Sequence, residues 1–272
     1  MSETEIAGWL EEVGARVEDR MAFFLRRMDA PDSLRAAMEY IALGGGKRLR
    51  PAMLLAVAEP PSSAVALDAA CALECVHCYS LVHDDLPCMD NAETRRGKPS
   101  CHVRYGEAQA LLAGDCLHAM AFEILSESGL PPAAVAMLAR AGGSGGMGGG
   151  QCLDLQAEAT DETALRRMHE MKTGALFDCA LQLGLLCRGG DEKEAAQLRA
   201  FAAEFGLLFQ IADDIKGADI DAALGRTTYV TVLGAEGAVR HAKEAFERAG
   251  DVLSGAHSRL SALSAHVFGA AT

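Results

Sequence analysis

Aromatic side chains are scarce in this chain, 5% of 272 residues with a single tryptophan, and the β-branched alternation that marks strands is scarce too. Both shortages argue against a sheet-based fold. Bases are outnumbered, 25 Lys and Arg against 38 Asp and Glu, for a formal net charge of -13. Such a surface repels a phosphate backbone, which excludes nucleic acid as a main partner. It leaves room for phosphorylated small molecules, because bound cations can neutralise a local acidic site. No run of about 18 apolar residues is read, so no membrane span is expected. Met1 to Glu12 is polar and acidic, so no secretory leader is expected either. Cysteines number nine, an odd count that fits a reducing cytoplasm better than a disulfide framework. Cys71, Cys75 and Cys78 share one helical face, and no second C-x-x-C follows at zinc spacing. They read as small buried apolar residues.

What is present is helical. Half of the chain is hydrophobic. Ile6, Leu10, Val13, Val17, Met21 and Phe24 recur at intervals of three and four, as do Phe201, Phe205, Leu208 and Ala212. The prediction is an all-α fold in one domain over residues 1–272, with breaks at Pro31, Gly44-Gly45-Gly46, Pro60-Pro61, Pro131-Pro132 and Gly189-Gly190. The run GGSGGMGGGQ, Gly142 to Gln151, is a flexible linker by composition, or else a place where helices approach closely.

Chemistry concentrates in LVHDDLPCMDNAETRRGKP, Leu81 to Pro99. A helix is expected to reach Asp85, and Pro87 cannot extend it. In an unbroken helix Asp84 and Asp90 would point roughly 120° apart; a bulge after Asp85 would let both turn to one centre. Such oxygen-rich acids suit Mg2+, which bridges to substrate phosphates, and Arg95 and Arg96 offer forked donors to phosphate. Taken alone, the same residues also read as a solvated acidic turn followed by a basic one. A second acidic pair, Asp213 and Asp214, follows an apolar helix, with Gln210 one turn before Asp214. In GGGKRLRP, Gly44 to Pro51, Lys47 and Arg50 are expected to share a helical face and to hold a second anion. The segment is no Walker A loop, since no Ser or Thr follows Lys47. Lys172 and Thr173 lie in HEMKTGALF; the plain alternative for Lys172 is a snorkelling surface lysine.

Together these segments resemble the trans-isoprenyl diphosphate synthases, or polyprenyl synthetases, and within them the bacterial farnesyl type. The family's GGKRLRP, first aspartate-rich motif, LAGD, GGQ..D, KTG and FQI.DD segments stand at Gly45 to Pro51, Asp84 to Asp90, Leu112 to Asp115, Gly149 to Asp154, Lys172 to Gly174 and Phe209 to Asp214. The resemblance runs from about Ala30 to about Ala245. It implies an isoprenoid-synthase bundle of ten or more helices around a central cavity, usually a homodimer. It also implies a reaction in which an allylic diphosphate ionises and the double bond of isopentenyl diphosphate attacks the cation. About three Mg2+ are implied, held by Asp84, Asp85 and Asp90 and by Asp213 and Asp214. Arg95, Lys172, Thr173, Gln210 and Arg226 would contact the allylic diphosphate or the developing cation, with Lys172, Thr173 and Gln210 as the catalytic set. Isopentenyl diphosphate would bind without metal at Gly46, Lys47, Arg50, His77 and Arg96. Tyr79 and Ser80 would set product length, an aromatic at Tyr79 stopping growth at fifteen carbons. His83 is read as structural, and the glycine run becomes a helix–helix approach.

Two departures matter. The second motif has Gly217 where the family carries its third aspartate, so Asp219 or Asp221 would have to substitute. Only ten residues separate Ile215 from Arg226, fewer than the family's loop, and Arg226 takes the place of a lysine. Asp213 and Asp214 are expected to end their helix, with Lys216 to Asp221 following as a segment lacking a helical apolar stripe. The leading reading is a farnesyl diphosphate synthase. Alternatives are a geranylgeranyl diphosphate synthase, a non-catalytic partner subunit supported by the altered second motif, and a terpene cyclase, which would not need Lys47, Arg50 and His77.

Overall fold

A computed structural model describes residues 1–58, 63–156, 161–223 and 225–270. The break expected at Pro60-Pro61 lies outside them. Among the described residues the chain is nearly all helix, and the strands are one pair of two residues each. Contacts gather into two compact units, Gly8–Ala136 and Met1–Ala7 with Met137–Thr272. Helix α1 (Glu3–Arg27) carries the expected stripe, with Ile6, Val13, Val17 and Met21 buried.

The unit Gly8–Ala136 contains α2 (Asp32–Ala42), α3 (Leu49–Val57), α4 (Ala64–Asp84), α5 (Cys101–Tyr105) and α6 (Glu107–Glu127), with α2 and α5 packed on α6. The core helix is α4, which packs on α3 and α6. Cys71, Cys75 and Cys78 are buried on it as free thiols, as expected of small apolar residues. Gly114 of α6 sits at the crossing with α4. A Cβ there would fall 2.2 Å from His83 Nε2, so the glycine leaves the room that the His83 ring occupies. His83 itself bonds the Leu111 carbonyl at 3.1 Å, in keeping with a structural role. No helix among the described residues holds 18 apolar residues in a row, as expected. Both α4 and α6 are long and apolar enough to cross a membrane, because average hydropathy tolerates an occasional acid; 67% of the α4 window is nevertheless buried inside the protein.

After α7 (Pro132–Gly142), the other unit contains α8 (Met147–Leu155), α9 (Glu162–His169), a π-helical turn (Glu170–Gly174), α10 (Ala175–Arg188), α11 (Glu192–Ala223), α12 (Tyr229–Leu253) and α13 (Ser258–Gly269). Phe177, Phe201 and Phe205 fill its core, Phe177 meeting Phe205 edge-on at 5.1 Å. The glycine run is no linker: it turns and then becomes helical from Met147. A Cβ on Gly150 would lie 2.2 Å from the Lys172 backbone nitrogen, so α8 and the π-turn touch backbone to backbone. The helix bearing Asp213 and Asp214 does not end there. It runs on through Lys216 to Asp221 and stops at Ala223, because one glycine costs a helix only about 1 kcal/mol.

Candidate active site

The proline after Asp85 acts as anticipated. Helix α4 ends at Asp84, and the chain folds back so that the Asp90 N–H donates to the Asp84 carbonyl at 2.8 Å. Acids six positions apart thus belong to one turn. The strand pair Thr94–Arg95 and Lys98–Pro99 follows, reversed by Arg96 and Gly97 at φ 53° and 73°. Two consecutive left-handed residues make the tight hairpin turn whose twist matches the strands. The reversal aims Arg95 back at the acids. Its Nε and Nη2 donate to Asp85 Oδ1 at 2.9 and 2.6 Å, and Nε also reaches Oδ2 at 2.7 Å. Asp85, read from the sequence as a metal ligand, is buried and also accepts from Arg95.

The same hairpin carries Arg96 to the GGGKRLRP segment, where its Nη1 donates to the Gly45 carbonyl. A Cβ on Gly46 would lie 2.6 Å from Arg96 Nη2, and Gly46 has φ 127°. Glycine is needed there for both space and backbone. Lys47 and Arg50 do not share a helix as predicted. Lys47 is exposed in the preceding loop, Arg48 is left-handed at φ 47°, and α3 starts only at Leu49. The cause is Arg48, which sequence reading passed over. Its guanidinium is buried and donates to Glu74 at 2.7 Å, Glu18 at 2.9 Å and the Ala42 carbonyl at 2.7 Å. That buried pairing pins the loop and leaves Arg50 facing α4, where its Nη1 lies 3.4 Å from His77 Nε2. Burial pushes Arg50 down to about 10, against the pull of Glu74. Burial, then the charges of Arg50, Arg96, Arg48 and Arg95, push His77 well below its ordinary value. A neutral imidazole among cations marks a place prepared for an anion.

On the same helix, Ser80 is buried and its hydroxyl donates to the His77 carbonyl at 2.9 Å. The Tyr79 ring stacks toward His118 of α6, at 4.4 Å between centroids.

In the other unit, Lys172 lies in the π-helical turn, a feature that often accompanies functional sites. It is no snorkelling lysine: its Nζ donates to Asp154 Oδ2 at 2.5 Å. Asp154 is the acid of the GGQ..D segment, and its partnership with Lys172 was invisible in the sequence. Thr173 Oγ1 donates to Gln210 Oε1 at 3.1 Å, Gln210 Nε2 to Asp214 Oδ1 at 3.4 Å, and the Tyr229 N–H to Asp214 Oδ2 at 2.8 Å. Burial raises Asp214 to about 6; the Tyr229 and Gln210 bonds oppose the shift and the neighbouring Asp221 and Asp213 add to it. Asp213, by contrast, is exposed. At the departure, a Cβ on Gly217 would lie 2.9 Å from Asp221 Oδ2. The Asp221 carboxylate thus leans back one helical turn over the missing side chain, with Arg226 Nη1 at 3.5 Å from its other oxygen.

Among the described residues no three His, Cys, Asp or Glu side chains form a ready metal cluster. The donors fit Mg2+ all the same, since this ion keeps several waters, takes one or two carboxylates and draws its other oxygens from phosphates. The carboxylates of Asp84, Asp85 and Asp90 in one unit and of Asp213, Asp214 and Asp221 in the other offer the hard oxygens it prefers; Asp85 also accepts from Arg95, Asp214 from Gln210 and Tyr229, and Asp221 pairs with Arg226.

The polyprenyl synthetase family model matches residues 31–228. Among characterised proteins, the chain is 44% identical over 235 residues to a farnesyl diphosphate synthase of Escherichia coli, covering 78% of this chain and 79% of that protein. It is 38% identical over 260 residues to the farnesyl diphosphate synthase of Geobacillus stearothermophilus, 88% of each chain, and 42% identical over 250 residues to a chloroplastic geranylgeranyl pyrophosphate synthase of Arabidopsis thaliana, covering 83% and 69%. An apo crystal structure of an FPP/GFPP synthase from Zymomonas mobilis superposes with a TM-score of 0.88 at 38% identity, over 97% and 98% of the two chains. With the family model spanning most of its length and its motif residues gathered as described, the chain belongs to the polyprenyl synthetase family.

Proposed function

We propose that this protein is a short-chain prenyltransferase that condenses isopentenyl diphosphate with dimethylallyl and geranyl diphosphates to give farnesyl diphosphate. The observation that supports this reading is a pair of unlike charge clusters within one unit. One is basic, with Arg50 beside His77, Arg96 on the Gly45 carbonyl next to Gly46, and Lys47 exposed in the same loop; the other is the acidic turn of Asp84 and Asp90. An enzyme joining two diphosphates needs both, and a terpene cyclase needs only the second.

Mg2+ would neutralise charge on the leaving diphosphate; the residues that would hold it are Asp84, Asp85 and Asp90 in one unit, and Asp213 and Asp214, with Asp221 in place of the missing acid, in the other. Lys172, held by Asp154, adds a fixed positive charge for the allylic diphosphate, as do Arg95, oriented by Asp85, and Arg226. The allylic C–O bond breaks, the double bond of isopentenyl diphosphate attacks the cation, and a proton passes to the released diphosphate. The Thr173 and Gln210 oxygens, tied together and to Asp214, are preorganised dipoles for the cation. Tyr79 limits the chain to fifteen carbons. The protein works as a homodimer in the cytoplasm.

The test is purified protein with Mg2+, isopentenyl diphosphate and allylic primers of graded length, products sized by chromatography. A fifteen-carbon product is expected. A twenty-carbon product would assign the protein to the geranylgeranyl type, and no product to the partner-subunit reading.

A further inference from the structure

No step of the condensation uses the LAGD segment, Leu112 to Asp115. In the unit Gly8–Ala136 this stretch of α6 packs against the last turn of α4, where His83 stands one residue before Asp84. Although His83 adjoins the acids, its ring is engaged on α6. Its Nε2 lies 3.1 Å from the Leu111 carbonyl. A carbonyl oxygen only accepts, so Nε2 carries the proton and donates. Asp115 Oδ1, one turn further along α6, offers a second acceptor 3.8 Å from the same nitrogen. Between Leu111 and Asp115, Gly114 leaves the room. A Cβ there would fall 2.2 Å from His83 Nε2, 2.5 Å from its Cδ2 and 2.9 Å from Val82 Cγ1. The same ring meets Tyr79, one turn back on α4, with centroids 5.7 Å apart and planes at 74°. Near-perpendicular rings at that distance are a favoured aromatic pair. Tyr79 therefore lies against two imidazoles, His83 on its own helix and His118 on α6.

We propose that His83 is a positioning residue for product length: fixed by the Leu111 carbonyl in the room left by Gly114, its ring backs Tyr79 and keeps that ring from giving way as the chain grows. The inference rests on the reading of Tyr79 as the limit on chain growth. A side chain pressed by a ligand yields by changing rotamer into nearby space. One turn along α4 that space is occupied by the His83 ring. His83 moves aside at the cost of its bond to Leu111, about a fivefold penalty in population for an ordinary hydrogen bond. The bond runs to the backbone of a packed helix, and a support of that kind holds position better than a loop would.

The experiment compares the products of the parent, His83→Ala, His83→Gln and Tyr79→Ala, each as the full chain with Mg2+, isopentenyl diphosphate and dimethylallyl diphosphate, at equal conversion. The readout is the ratio of products longer than the parent's main product to that main product. A general loss of activity lowers both and leaves the ratio in place. His83→Ala should raise the ratio about fivefold, the scale of the lost bond. His83→Gln brings an amide that can still donate to Leu111 but no ring against Tyr79. A purely structural role, holding α4 to α6, would be restored by the glutamine; the backing role is not, so His83→Gln should raise the ratio as well. A ratio at the parent's value in either His83 variant overturns the proposal. The double variant Tyr79→Ala/His83→Gln should give the products of Tyr79→Ala, because His83 acts through the tyrosine; still longer products would show a separate action and overturn it too. Tyr79→Ala keeps the two readings apart. Longer products from it, with an unmoved ratio in the His83 variants, overturn the role of His83 alone. An unmoved ratio in Tyr79→Ala removes Tyr79 as the limit, and His83 with it.

Discussion

The Tyr79 ring lies 4.4 Å from that of His118, and His118 meets Phe122 edge-on at 5.0 Å. Two turns of α6 thus stand behind Tyr79, which with Ser80 of α4 was read as the limit on chain growth. Tyr79→Ala should release longer products than the parent, with the first condensation little changed. His118→Ala should shift products the same way but less, by loosening the tyrosine rather than removing it. Chromatography of the extracted products decides the matter, and an unchanged distribution in both variants removes this stack from the role.

Asp84 and Asp90 are joined through one backbone bond, so losing either carboxylate should damage the same function. Asp84→Ala and Asp90→Ala are each expected to lower turnover at least about a hundredfold, the scale of one charge-stabilising contact. Calorimetric binding of isopentenyl diphosphate should survive. Normal turnover in Asp84→Ala would sink the metal reading.

Arg50 faces His77 in the basic cluster. Arg50→Ala should weaken isopentenyl diphosphate by about 1.5–3 kcal/mol, as for a charge-assisted bond, and the allylic primer far less. Equal losses on both would point to general damage, such as disturbance of the neighbouring Arg48 pairing.

Asp221 leans over Gly217, whereas Asp219 is exposed. Asp221→Ala should therefore raise the Mg2+ concentration for half-maximal activity about tenfold, the scale of one contact to a charged group. Asp219→Ala should leave it where it was. The reverse result would move the replacement acid to Asp219.

Burial pushes His169 down to about 4, with Asp154 opposing and Lys172 adding to the shift. A histidine lowered on folding contributes stability that is present above its ordinary value of 6.5 and is lost as pH falls toward 4. Over that window the loss is about 3.4 kcal/mol at most, from about 1.36 kcal/mol per pH unit. Urea denaturation of the parent and of His169→Phe, which keeps a ring against Tyr229, should show a flatter pH dependence in the variant. Identical slopes would mean that His169 is as readily protonated folded as unfolded.

The all-helical architecture, the buried stripe of α1 and the grouping of acids before bases were legible in the sequence, because periodicity and proline act over a few residues. Membership of the family was legible for the same reason, as short ordered motifs. What the tertiary structure alone decided is which charges meet. Local spacing put Lys47 and Arg50 on one helix face. The burial of Arg48 against Glu74 and Glu18 holds a left-handed residue there instead, and delays the helix to Leu49. Nothing near Asp85 announces that a hairpin turn will bring Arg95 back onto it, and nothing near Lys172 points to Asp154. Nor did the glycines reveal which backbone they admit until Gly150 was seen against Lys172. Those pairings depend on where distant segments return, which short-range periodicity does not encode.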